Sequence, residues 1–66
     1  MKKITKMMVA RLRLGMTQDE LARAVGVTQP RISIWENGKA DIPNARRVQI
    51  AELLGLLPGE LDEEAL

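Results

Sequence analysis

Cysteine is absent from this 66-residue chain, so neither a disulfide nor a thiolate metal site can hold it together. Histidine and tyrosine are absent too, which removes two of the side chains most used for general acid–base work. There is no glycine-rich phosphate loop, and the carboxylates fall on solvated faces or in the run Asp62-Glu63-Glu64 without converging on a site. An enzyme is therefore not expected, and neither is a metal or other cofactor. Long apolar runs are also missing. The longest, Leu53 to Leu57, is far too short to span a membrane, and Met1-Lys2-Lys3 leads into no signal-type apolar core. The expectation is a cytoplasmic protein with no membrane partner and no evident small-molecule ligand. Repeats, linkers and low-complexity stretches are absent as well.

A chain of this length buries only roughly 60% of its unfolded surface. Lacking staples, it must depend on efficient helix packing or on self-association. One all-α domain over residues 1–66, paired as a homodimer, is the natural solution. Net charge is only +1, but it is unevenly spread. Residues 1–39 hold eight Lys or Arg against three acids (+5), and residues 40–66 hold two against six (−4). A basic front and an acidic back orient such a molecule toward a polyanion.

Turn signals cut the chain into short pieces of helical periodicity, and no segment alternates long enough for a strand. Five helices are expected. The first runs from about Ile4 to Leu14, with Ile4, Met8 and Leu12 at i, i+4 and i+8 as its inner face and Gly15 as its stop. Thr17 caps the second, with Glu20 completing a capping box and Leu21, Ala22 and Val25 facing inward until Gly26. The third begins near Thr28 and ends at Asn37-Gly38. Pro30 belongs to its first turn, which leaves Thr28 and Gln29 both open as the cap. Asn44 is expected to cap a fourth helix reaching Leu54, with Ile50, Ala51 and Leu54 inward and Gly55 at its end. Pro58 opens a short fifth helix whose Leu61 can pack inward, while Asp62-Glu63-Glu64 are expected to be solvated and the last residues frayed.

Residues 18–37 form two short helices joined around Gly26, with small residues where the pair must approach closely. Ala22 admits the third helix, Gly26 can take the positive φ that reverses the chain, and Val27, Ile32 and Trp35 supply apolar contacts. Three segments, Thr17-Gln18-Asp19-Glu20-Leu21-Ala22, Gly26-Val27-Thr28-Gln29 and Trp35-Glu36-Asn37-Gly38-Lys39, resemble the lambda-repressor and Cro type helix-turn-helix family. Ile50-Ala51-Glu52-Leu53-Leu54-Gly55 is similar to the end of that family's fourth helix, so the likeness covers nearly the whole chain. It departs at Arg47, where the family usually has an apolar residue, and at Ile42-Pro43, where the loop proline is displaced by one place. The resemblance implies a compact five-helix domain that binds double-stranded DNA and places its third helix in the major groove.

At 100° per residue, Ile32 and Trp35 share the core side of the third helix, while Pro30, Ser33, Ile34 and Asn37 occupy the opposite side, with Thr28 and Gln29 at the N-terminal tip. Gln29 is the best base reader, because an amide can pair bidentately with adenine N6 and N7. Thr28 and Ser33 can serve several bases, and the apolar atoms of Pro30 and Ile34 suit thymine methyl groups. Gln18, at a helix start favourable to an anion, is expected on a phosphate, as the family uses its matching glutamine. Arg31, Asn37, Lys39 and Asn44 complete the expected phosphate contacts, which position without specifying sequence.

Trp35 belongs to the core on this reading. Arg11 and Glu36 match a family pair that bridges the first and third helices, and a partly exposed pair contributes only about 0–1 kcal/mol. Lys2, Lys3 and Lys6 form a basic arm or a mobile terminus. Leu56, Leu57, Leu61 and Leu66 exceed what a monomer of this size needs near its C-terminus, so Leu56, Leu57 and Leu61 are expected in a dimer interface. The function expected is a sequence-specific transcriptional regulator, a repressor acting on a palindromic operator. The alternative on the same fold is an antitoxin or adaptor-type protein-interaction module.

Overall fold

In the computed structural model, which describes residues 3–65, four α-helices follow one another: α1 (Lys6–Arg13), α2 (Gln18–Val25), α3 (Gln29–Glu36) and α4 (Asn44–Leu54). The fifth expected helix is instead a single 3-10 turn, Pro58–Glu60. Gly59 disfavours continuing it, and Leu61 must leave the turn to enter the core, where it is fully buried. The core also holds Met7, Leu21, Ala22, Val25, Ile32, Trp35, Ile42, Ile50, Ala51 and Leu54. No described helix is long and apolar enough to cross a membrane.

The first helix departs most from the sequence reading. It starts at Lys6, because Thr5 rather than a residue before Ile4 is its cap: the Thr5 hydroxyl accepts the Met8 N–H at 3.3 Å and donates to the Glu36 carbonyl at 3.0 Å. Its buried residues are Met7 and Arg11, whereas Ile4 and Leu12 are 37% and 59% exposed. The helix is turned by about one residue, or 100°, from the orientation its apolar periodicity favours. The cause is Arg11, which is assigned outward by hydropathy but is drawn inward by Glu36 and the Met16 carbonyl.

At α4, Asn44 is the first helical residue and Pro43 the cap. The Pro43 carbonyl accepts the N–H groups of Arg46 and Arg47, both at 2.9 Å, so the start needs no capping side chain. Proline loses nothing here, since a residue ahead of the helix has no intrahelical N–H bond to make.

Glu63 and Glu64 are exposed, as expected, but the described end of the chain is not frayed and Asp62 is only half-exposed. The carbonyls of Leu61 and Glu63 accept the N–H groups of Met7 (3.1 Å) and Lys6 (2.9 Å), two of the first-turn donors that α1 cannot satisfy internally. The Ala65 N–H donates to the Ile4 carbonyl at 2.8 Å, and Thr5 and Glu64 form an isolated antiparallel bridge. Arg47 grips the same segment: its guanidinium donates to both Asp62 carboxylate oxygens (3.2 and 2.7 Å), to the Pro58 carbonyl and to the Ile42 carbonyl. At this position, where the resemblance leads one to expect an apolar residue, the chain has a cationic peg.

Candidate nucleic-acid interface

The reversal between α2 and α3 is built from short-range bonds. Thr17 Oγ1 accepts the Glu20 N–H at 3.0 Å, and Glu20 Oε1 accepts the Thr17 N–H at 2.8 Å, closing the capping box expected from the sequence. That backbone N–H, with the threonine side chain, holds the Glu20 carboxyl below its ordinary range. Gly26 then takes φ +76°, and a Cβ built there would meet no atom within 4 Å. The demand for glycine is thus one of backbone conformation rather than of space.

Thr28 is the cap of α3, in an extended conformation, and its side chain makes no capping bond. The helix turns Ile32, Trp35 and Glu36 inward, with Trp35 only 3% exposed. Its other side presents Thr28, Pro30, Arg31 and Ile34 as exposed residues and Gln29, Ser33 and Asn37 as half-buried ones. Asn37 Nδ2 reaches Ser33 Oγ at 3.5 Å, while its Oδ1 is buried without a partner. Lys39 and Asn44 are exposed beyond the end of α3 and at the start of α4.

Two expected contact residues are directly joined. Gln29 Nε2 donates to Gln18 Oε1 at 2.5 Å, and Gln18 Nε2 donates to Glu36 Oε1 at 3.0 Å. Glu36, fully buried, is held by Arg11 through Nε to Oε2 (2.5 Å) and Nη2 to Oε1 (3.2 Å). The Arg11–Glu36 pair is therefore a buried one rather than a partly exposed surface pair, and removing one partner of such a pair typically costs about 3–5 kcal/mol. The family resemblance carried the pair itself. The onward bonds to the two glutamines had no periodic signal, since they join residues 18 and 11 positions apart.

The cations sort into two groups. Lys6 lies 2.8 Å from Glu63 and 3.5 Å from Glu60, Arg47 pairs with Asp62, and Arg23 pairs with Asp19. Hydrogen bonding and attraction from Glu63 raise the Lys6 pKa, and the Asp62 bond raises that of Arg47. Lys6 is thereby turned to the protein's own acids and withdrawn from the basic arm; Lys2 lies outside the described residues, and the Lys3 chain runs close to Gly38. Among the described residues no carboxylate pairs with Arg31, Lys39 or Arg46. Arg46 was not singled out by the sequence reading. It shares with Arg31 a cleft of about 360 Å³ lined also by Val27, Trp35, Asp41 and Pro43.

The helix-turn-helix family matches residues 7–61, which includes all four helices apart from the first residue of α1. The chain belongs to this family, in its Cro type. As a helix-turn-helix domain it is a DNA-binding module, and double-stranded DNA is the ligand of the family. No curated protein and no solved structure matches the chain.

One group of expected site residues does not assemble. Of the three leucines expected to pair two copies, Leu61 is fully buried in the core and has no surface to offer, and Leu56 is partly buried against the core. Only Leu57 stands out, 69% exposed, with Leu53 at 44%. Leu66 lies outside the described residues. Of the two places the sequence offered Leu61, inward packing and a dimer interface, the structure gives it the first, where it anchors the C-terminal segment beneath α1.

Proposed function

We propose that the protein is a sequence-specific transcriptional regulator, a cytoplasmic repressor that lays α3 in the major groove of double-stranded DNA. The reading is carried by the outward side of α3. Thr28, Gln29, Pro30, Ser33 and Ile34 lie there with polar and apolar groups side by side, and Ile34 is 36% exposed on a helix whose Ile32 and Trp35 are buried. A purely solvated face gives no reason for that isoleucine, whereas a thymine methyl does. Gln29 is the principal base reader. Gln18, Arg31, Asn37, Lys39 and Asn44 take phosphates, and the unpaired state of Arg31 and Lys39 supports this role.

The functional unit is a homodimer on a palindromic operator. One α3 touches too few bases to select a site in a genome, and two modules on half-sites about 34 Å apart supply the missing specificity. Leu57 is the one of the three expected leucines that is exposed and so available for pairing, and so small a contact implies a weak dimer completed on DNA. Selection of bound sites from a random duplex pool tests the whole reading. Recovery of a two-fold symmetric consensus is expected. A pool that never enriches would reject DNA reading and turn attention to the protein-interaction alternative, and an enriched single half-site bound by one protein would reject the dimer alone.

A further inference from the structure

Glu36 is buried and Gln29 lies at the outward tip of α3, yet two hydrogen bonds through Gln18 join them end to end. The direction of each bond follows from chemistry. Arg11 has only donors to give, and it gives two of them to the Glu36 carboxylate and a third to the Met16 carbonyl at 2.6 Å. A carboxylate only accepts, so Gln18 must turn its NH2 toward Glu36 and its carbonyl oxygen away. That oxygen faces Gln29, which must therefore turn its own NH2 inward to donate. What remains to Gln29 on the groove side is its carbonyl oxygen and one N–H.

We infer that the buried Arg11–Glu36 pair sets the polarity of the Gln29 amide, and with it which purine the protein prefers. The inference rests on Gln29 reading a base as proposed above. One acceptor beside one donor matches adenine, which offers the N6 donor and the N7 acceptor. The flipped amide would place its NH2 outward and match guanine, whose O6 and N7 only accept. An unconstrained glutamine adopts both orientations. Here the acceptor-only carboxylate, acting through Gln18, forbids the second. Arg11 and Glu36 are positioning residues: neither touches the base, and Glu36 is fully buried.

Glu36→Gln should invert the chain of bonds. Arg11 would retain the new amide oxygen, leaving an NH2 toward Gln18; Gln18 would turn its oxygen inward and its NH2 to Gln29, whose NH2 would then point to the groove. Gln18→Met severs the chain at an accessible position and should leave the Gln29 amide free to take either orientation. The measurement is competition between duplexes carrying A·T or G·C at the position whose discrimination Gln29→Ala erases, with Trp35 emission reporting that each variant is folded. The unmodified protein should prefer A·T by roughly ten- to a hundredfold. Gln18→Met should bring that ratio to within a few-fold of one, and Glu36→Gln should carry it toward G·C. Should Glu36→Gln fail to fold for want of a counter-charge, Gln18→Met decides alone. A wild-type ratio in folded Gln18→Met, with Gln29→Ala still erasing it, overturns the positioning role and leaves base reading intact. If Gln29→Ala erases discrimination at no position, base reading by Gln29 fails and the positioning role fails with it.

Discussion

Residues 17–37 and residues 58–65 differ in the weight of short-range and long-range bonds that hold them. The first region is made by bonds that close within a few positions: a reciprocal cap between Thr17 and Glu20, and a Val27 N–H to the Ala22 carbonyl around a left-handed Gly26. The second has short-range bonds of its own, from the Glu60 N–H to the Leu57 carbonyl, from the Leu57 N–H to the Glu60 carboxylate and from the Glu63 N–H to the Glu60 carbonyl, but partners far away in sequence fasten it to the rest of the fold. Lys6 reaches Glu60 and Glu63 across 54 and 57 positions, and Arg47 reaches Asp62 across 15. The module that meets DNA is thus specified locally, while the segment that seals the end of α1 is specified by the rest of the fold. Perturbing the two should have different signatures.

The largest effect is expected at Trp35, where the recognition helix meets the shared core. Trp35→Ala should cost about 3–5 kcal/mol, enough to unfold a domain this small. Loss of cooperative thermal unfolding would register it, and before substitution the indole emission should be blue-shifted and poorly quenched. Solvent-like emission from the folded protein would remove Trp35 from the core.

Next comes the anchor of the sealing segment. Leu61→Ala should cost about 2–5 kcal/mol, because Leu61 is fully buried. Leu57→Glu, four positions earlier and 69% exposed, should leave the melting temperature nearly unchanged while weakening cooperative binding to a full palindrome. Equal melting losses for the two would mean that position 57 is structural, and the pairing surface would have to be sought elsewhere.

Gln29→Ala is expected to cost about 1–3 kcal/mol of DNA binding and to relax preference at one base position, with stability almost unaffected. Band-shift titrations against a panel of single-base variants would show it. A uniform loss across the panel would make Gln29 a backbone contact instead of a reader.

The contrast between the two regions also explains what was legible in the sequence. The Thr17 capping box, the glycine stops and the inward stripes of α2, α3 and α4 were readable, because each is a short-range consequence of propensity and periodicity, whereas the α4 cap, expected at Asn44, is Pro43. Helix α1 was rotated wrongly because Ile4, Met8 and Leu12 are apolar at helical spacing, whereas the true inner face contains a charge, Arg11, whose burial makes sense only with Glu36 opposite. Asp62 was taken for a solvated residue because its partner, Arg47, occupies a position where the family pattern expects an apolar side chain. At the interface, the outward residues of α3 were legible from helix geometry. The hydrogen-bond chain behind Gln29 was not, since it depends on three helices meeting.

The smallest effect separates the regions by pH. Both contain a carboxyl whose folded pKa is lowered: Glu20 by the Thr17 backbone N–H, and Asp62 chiefly by its hydrogen bond to Arg47. Glu60 is lowered as well, first by the Leu57 N–H. A lowered folded pKa means that the unfolded chain binds the proton more readily. The stabilisation is therefore complete above the ordinary carboxylate range, about pH 4, and is lost as pH falls through the lowered folded values. Asp62→Asn should cost at most about 1 kcal/mol at neutral pH, since the pair is partly solvated, and that difference from the unmodified protein should shrink on acidification. Glu20→Gln keeps a capping acceptor without the charge, so its neutral-pH loss should be smaller still. Melting temperatures between pH 7 and pH 3 would compare them. If the Asp62→Asn deficit stays constant down to pH 3, the Arg47–Asp62 contact contributes through shape rather than charge, and the sealing segment is held by Leu61 and its backbone bonds to α1.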